Sequence, residues 1–354
     1  MLKDNYNTNR ELLRNDNASL HNIGDGVLCF EFHSKGNTLD PQIYELGIAA
    51  LDLLEDNAAF RAMVIGSQAK DFCLGANIRV FLHVIERANG DLKTLESAVH
   101  GLQEWLMRVR FAHKPVVTAP YGRALGGGAE VAMAGCCAVA SHTAKIGLVE
   151  LGVGVIPGGG GCKELLRRCV SAHAAGLGDG LPQLLQVFET IVQRRVGADA
   201  AECETLGFLQ RNHGDVFVSD TVTDTATDAD IGASDLLAEA KRRAISLAQH
   251  GYAPPNRAAR NIWALGQRGQ ATLHKTIEQK LANRAAPEQF TDYDAEIAHE
   301  LALVLCGGAT PTPRWVSEDE ILQLERAAFA RLLAQPKTQA RIAQMLQAGK
   351  PLRN

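Results

Sequence analysis

The chain lacks the marks of most specialised protein classes. Its eight cysteines (Cys29, Cys73, Cys136, Cys137, Cys162, Cys169, Cys203 and Cys306) form no CxxC pair. Most sit in apolar stretches such as "GVLCFEF" and "LVLCGG", which suits buried, reduced thiols and argues against a disulfide framework or a metal site. Neither sign of charge is in excess. Lys and Arg number 36 against 40 Asp and Glu, a net charge of −4, so nothing electrostatic favours nucleic acid or an anionic membrane as partner. No uninterrupted apolar run reaches the roughly 18 residues of a membrane span. The opening "MLKDNYNTNRELLRNDNASLHN" is polar and carries acids, unlike a secretory signal or a transit peptide, and the expected location is the cytoplasm. Nucleotide fingerprints are missing too. No GxxxxGK[ST] is present, while "GVGVIPGGGG" and "GLGDG" both stop short of GxGxxG, so a P-loop is excluded and a Rossmann site is unsupported.

What is there fits an ordinary globular protein. Hydrophobic residues make up 46% of the 354 and charged residues 21%, enough to bury the core of one large domain or two smaller ones. Residues 1–21, rich in Asn and charge, are expected to be a flexible leader. Strands are predicted at "GVLCFEFH" (26–33), "FRAMVIGS" (60–67), "KPVVTAPYG" (114–122), "CAVAS" (137–141) and "KIGLVE" (145–150). Helices are predicted over 40–54, where Ile43, Leu46, Ala50 and Leu53 recur at spacings of three and four, and over 101–111. This alternation predicts an α/β architecture with largely parallel strands. A Thr- and Asp-rich stretch, "SDTVTDTATDADIGASD" (219–235), has the composition of a solvated linker. Beyond it residues 236–354 read as helical, with Ser317 and Glu320 spaced as a capping box. No internal repeat is visible.

Two glycine clusters stand at strand-to-helix junctions. One is "ALGGGAEVAMAG" (124–135), where Gly126–Gly128 open an apolar helix although each helical glycine costs roughly 1 kcal/mol relative to alanine. The other is "IPGGGGCKELLRR" (156–168). Bare backbone at a helix start lets a ligand approach main-chain N–H groups that favour negative charge, as in an oxyanion hole; close helix–strand packing explains the glycines equally well. Beside each cluster lies an acid in small, apolar surroundings, Glu130 and Glu150. A pair of such carboxylates suits general acid–base work, although glutamates at large are mostly surface charges. A third segment, "DFCLGANIR" (71–79), has the form of an ordinary βα loop whose backbone could give a second N–H donor.

Taken in order, "FCLGANI", "KPVVTAPYGRALGGGAEVAMAG" and "KIGLVELGVGVIPGGGG" resemble the crotonase (enoyl-CoA hydratase/isomerase) superfamily. The likeness runs from about residue 24 to residue 209. More narrowly, "EFHSKGNTLD", "IPGGGGCKEL", "ALVLCGG" and "MLQAGKPLRN" resemble the hydratase portion of bacterial bifunctional proteins that join 3-hydroxyacyl-CoA dehydrogenase to enoyl-CoA hydratase. The dehydrogenase half is missing, so the chain is expected to be a stand-alone relative or a portion of such a protein.

The resemblance implies a crotonase-type spiral of ββα units over 22–218, followed by the linker and the C-terminal helical region. It implies an acyl-CoA thioester as substrate, with Glu130 and Glu150 as catalytic carboxylates and the N–H groups of Ala76 and Gly127 as the oxyanion hole. Ala76, Asn77, Ile78, Arg79, Gly127, Pro157 and Gly158 would line the substrate site, and residues 79–106 would shape the acyl pocket. The reaction would be hydration of 2-enoyl-CoA to 3-hydroxyacyl-CoA in fatty-acid β-oxidation, with no cofactor beyond the coenzyme A of the substrate. The implied partners are further copies of the chain or a 3-hydroxyacyl-CoA dehydrogenase. An isomerase working through Glu150 alone, or a non-catalytic acyl-CoA-binding subunit, are the alternatives. The chain departs from the family pattern at Asn77, where Asp is usual, at Ala129, where Cys is frequent, and in its long acidic 219–235 insert.

Overall fold

A computed structural model of the protein describes residues 11–67, 69–175, 178–218, 230–283 and 290–354. Its strands are β1 (Glu11–Arg14), β2 (Ala18–Asn22), β3 (Val27–Phe32), β4 (Ala62–Ile65), β5 (Val116–Thr118), β6 (Arg123–Leu125), β7 (Cys137–Ser141), β8 (Lys145–Gly147), β9 (Val216–Val218), β10 (Ile262–Ala264) and β11 (Arg314–Val316). Its helices are α1 (Pro41–Asp56), α2 (Ile78–Ala88), α3 (Leu92–Arg110), α4 (Gly127–Ala134), α5 (Gly161–Leu165), α6 (Ala172–Ala174), α7 (Leu181–Val192), α8 (Ala200–Thr205), α9 (Asp230–Gln249), α10 (Gly266–Ala282), α11 (Asp292–Leu305), α12 (Glu318–Leu333) and α13 (Pro336–Ala348). Two compact units share them. The first comprises Met1–Ala76, Glu104–Gly147 and Val196–Asn256, the second Asn77–Gln103, Leu148–Arg195 and Arg257–Asn354.

The first unit is built on a seven-stranded sheet of order β1-β2-β3-β4-β5-β7-β9. The pairs β1–β2 and β2–β3 are antiparallel, and from β3 onward every pair is parallel. Strands buried on both faces read as continuous apolar runs rather than alternating ones, and β3 and β4 are buried at every position. On one face Val27, Cys29, Val64, Val117 and Val139 pack against Leu236, Leu237, Ala240 and Ala244 of α9. Behind the other, Phe30 and Phe32 meet the indole of Trp105 edge-on, and Tyr44 of α1 stacks on that same indole at 6.2 Å between ring centroids. α1 starts where its sequence says it should: the Asp40 carboxylate accepts the Ile43 N–H, and Pro41 occupies the first turn.

Two expectations need correction. Of the supposed leader, residues 11–14 and 18–22 are strands; Ala18, Ser19 and Leu20 are buried, because β2 gains its ladder from β3 and not from any apolar pattern of its own. Residues 1–10 lie outside the described residues, as does most of the expected linker, 219–229. From Asp230 the chain is helical, and α9 covers the sheet of the first unit instead of opening a separate C-terminal region.

The second unit is mainly helical and takes in residues 257–354 of the helical region expected over 236–354. Ser317 caps α12: its hydroxyl accepts the Glu320 N–H while the Glu320 carboxylate accepts the Ser317 N–H, the predicted capping box. Thr291 and Asp294 cap α11 in the same way. The predicted helix after the second glycine cluster opens at Gly161 and widens into a π turn over Leu166–Ser171. Among the described residues, no helix is long and apolar enough to cross a membrane.

Candidate active site

The first unit carries the glycine step and one acid. β6 pairs in parallel with β8, and the Gly126 N–H donates to Gly147 O at 2.8 Å. Gly126 then takes φ 54° and ψ −124° as the residue before α4, a conformation that favours glycine. Gly128 answers to packing: a Cβ there would lie 2.3 Å from Cys73 O. At Gly127 a Cβ would come 3.5 Å from Ala76 N, and at Gly75 one would come 3.7 Å from Gly127 N. The main chains at 75–76 and 126–127 are thus in close approach. As the first residue of α4, Gly127 has an N–H with no carbonyl of the helix to receive it. Packing accounts for Gly128 and the positive φ for Gly126.

The segment before Ala76 is held from two sides. On one, Leu39 N donates to Gly75 O at 2.9 Å, Leu74 N to Gly36 O at 3.2 Å, and Asn37 Nδ2 to the carbonyls of Asp71 and Phe72 and to Ser67 Oγ. On the other, Phe72 N donates to Tyr121 O, Cys73 N to Arg123 O and Leu125 N to Cys73 O. Arg123 also closes a two-pronged ion pair on Asp71, at 2.8 and 2.7 Å. That pair holds the Asp71 carboxyl below the usual aspartate range.

Glu130 stands in the first turn of α4 and is 3% exposed. All eight residues of this helix are buried, which confirms the apolar setting that singled the glutamate out. Tyr44 lies in its field. Burial raises the Tyr44 phenol, and the charges at Asp40 and Glu130 push it further up. Burial likewise pushes the Cys73 thiol up to about 12, keeping it neutral.

The remaining candidates belong to the second unit. Asn77 caps α2, its Oδ1 accepting the Arg79 N–H at 3.2 Å, so the departure from Asp preserves the cap. Ile78 is half-buried and Arg79 exposed. β8 ends at Gly147, and Glu150 opens a 3-10 turn over Glu150–Val153 instead of closing the strand. Pro157 and Gly158 are buried, and Gln103 Nε2 donates to Gly158 O at 2.7 Å and to Leu322 O at 3.1 Å. Ala76, Gly127 and Glu130 therefore share one unit, while Asn77, Ile78, Arg79, Glu150, Pro157 and Gly158 share the other. Sequence reasoning missed Asn37, Asp71, Arg123 and Tyr44. Asp71 entered only as the first residue of "DFCLGANIR", and Asn37 is marked only in the structure, by its positive φ of 52°.

Residues 22–177 match the family described as Enoyl-CoA hydratase/isomerase. A Bacillus subtilis protein named probable 3-hydroxyacyl-CoA dehydrogenase is 36% identical over 344 residues, covering 97% of this chain and 40% of that protein. A second from the same organism, named probable enoyl-CoA hydratase, is 37% identical over 147 residues, covering 41% of this chain and 55% of its own length. The chain thus spans about half or less of these curated relatives. Among solved structures, a carnitinyl-CoA dehydratase from Mycobacterium thermoresistibile shares the fold with a TM-score of 0.60 at 18% identity, over 95% of this chain and 91% of that one. The match to the enoyl-CoA hydratase/isomerase family spans all three motifs that resemble the crotonase superfamily.

Proposed function

We propose that the protein is an enoyl-CoA hydratase, adding water across the 2,3 double bond of a 2-enoyl-CoA thioester to give 3-hydroxyacyl-CoA. The observation that carries the reading is the buried Glu130 one turn into a helix whose first amide, at Gly127, adjoins the backbone of Ala76. In this scheme the Ala76 and Gly127 amides donate to the thioester oxygen. Charge that develops there as water adds is stabilised by both amides and by the dipole of α4; losing one such donor costs about 3 kcal/mol.

Glu130 and Glu150 are the two acid–base carboxylates of the scheme. One carboxylate takes a proton as the water oxygen bonds to C3, and the other delivers a proton to C2. The step is redox-neutral and consumes only water. Asn77, Ile78, Arg79, Pro157 and Gly158 are the further residues proposed to bind the substrate. The product is the substrate type that the dehydrogenase relative's name describes, so a 3-hydroxyacyl-CoA dehydrogenase is the natural recipient, and fatty-acid β-oxidation in the cytoplasm the natural setting. Assembly with further copies of the chain belongs to the same proposal.

The test is hydration of crotonyl-CoA by the wild-type chain and by Glu130→Gln and Glu150→Gln. Each variant is expected to lose at least about a hundredfold in kcat. A wild-type chain that shifts the double bond of a 3-enoyl-CoA but adds no water to crotonyl-CoA would instead place the chain among the isomerases.

A further inference from the structure

The turn that bears Glu150 is held from the far end of the sequence. Thr338 Oγ1 donates to Gly154 O at 2.6 Å. Arg341 Nη1 donates to Leu151 O at 3.0 Å. Inside the turn the Gly154 N–H reaches the carbonyls of Glu150 and Leu151, and Val155 N donates to Glu150 O at 3.3 Å. Gly154 has φ +91°, and a Cβ on it would lie 2.7 Å from Thr338 Oγ1 and 2.9 Å from Thr338 Cα. α13 therefore abuts the turn so closely that only glycine fits.

The chemistry of the two side chains goes beyond what packing requires. Arg341 is fully buried. Besides Leu151 O, its guanidinium donates to Asp294 Oδ1 at 2.7 Å, Thr291 Oγ1 at 3.2 Å and Asn354 Oδ1 at 2.8 Å. A buried ion pair is a poor way to gain stability, since well-packed apolar residues of the same volume often do better; its best-attested use is to fix a register. Thr338 is fully buried as well. Its proton goes to Gly154 O, so in the 2.6 Å contact with Tyr293 the phenol is the donor, and the relay Tyr293–Thr338–Gly154 has one direction only.

We infer that Thr338 and Arg341 are positioning residues that set the main-chain turn of Glu150 and so aim its carboxylate; the inference rests on the catalytic role proposed above for Glu150. A misplacement of about 1 Å in a reacting group costs about a hundredfold in rate, so two hydrogen bonds to this turn are worth more to turnover than to stability.

Thr338→Val is nearly isosteric and removes the donor to Gly154 O. It is expected to lower kcat for crotonyl-CoA hydration by about tenfold or more with KM within about threefold. It should also speed hydrogen exchange at the Gly154 and Val155 amides. Thr338→Ser, which restores the hydroxyl, should recover both. Unchanged kcat and exchange in Thr338→Val, or a loss that Thr338→Ser does not recover, overturns the inference. Should Thr338→Val not fold, Arg341→Lys keeps the charge without the fork and is read in the same two ways. If the wild-type chain hydrates no enoyl-CoA, the hydratase reading fails separately, and the exchange rates at Gly154 and Val155 decide the clamp by themselves.

Discussion

At the scale of single residues, the glycine step divides into parts with different consequences. Gly128→Ala forces a methyl to within 2.3 Å of Cys73 O, a backbone atom that cannot swing aside. It is expected to destabilise the protein by about 1–3 kcal/mol or more, measured by denaturant unfolding. A second prediction concerns His21. Burial is the largest influence on its imidazole and holds it below the ordinary 6.5, against the opposing pull of Glu31, whose carboxylate is 3.7 Å away. The unfolded chain takes up this proton more readily than the folded one. The stability tied to a neutral His21 is therefore complete above about pH 6.5 and is lost as the pH falls below it. Replacing His21 by Asn should flatten the pH dependence of the unfolding free energy between about pH 5 and 7; an unchanged slope would contradict it. Glu130 was legible in the sequence because a charge in an apolar helix breaks a local pattern. Tyr44, Asp71 and Arg341 were not, since each is an ordinary residue in its own segment. They become significant only through partners dozens to hundreds of positions away: Glu130, Arg123 and Leu151.

At the scale of elements, local chemistry predicted what local chemistry decides. The caps at Asp40, Asn77 and Ser317 are all made as their residue types suggest, and β3 and β4 lie where apolar runs put them. β1 and β2 escaped notice because polar, Asn-rich segments form strands only when a neighbouring strand offers a ladder, and β3 does. β8 came out shorter than "KIGLVE" suggested. Its last residues turn away into the 3-10 turn of Glu150, a bend invisible in six residues of sequence. The role of α9 was hidden for the same reason, since its apolar face says that it packs but not where. Leu237 is 5% exposed in the cluster that covers the sheet. Leu237→Ala is expected to cost about 2–4 kcal/mol by thermal or denaturant unfolding. A loss under about 0.5 kcal/mol, the ordinary range of surface positions, would mean that α9 does not seal that face.

At the scale of the whole molecule, composition suggested segments laid end to end, whereas each unit draws on three separate stretches of chain. No composition break reveals such an interleaving, because it follows from contacts between remote segments. The family, in contrast, was legible: three motifs in order pointed to it, and the match over residues 22–177 bears this out. The two candidate carboxylates fall in different units, Glu130 in the first and Glu150 in the second, and the acid–base role proposed for each is open to a direct test. That test is the loss of enoyl-thioester absorbance when crotonyl-CoA is mixed with the wild-type chain, with Glu130→Gln and with Glu150→Gln, alongside the affinity of each for the CoA ester. Turnover by the wild type is expected, with a fall of about a hundredfold or more in both variants and affinities within a few-fold of one another. Full activity in either variant, or a wild-type chain that binds the thioester and never hydrates it, would contradict it.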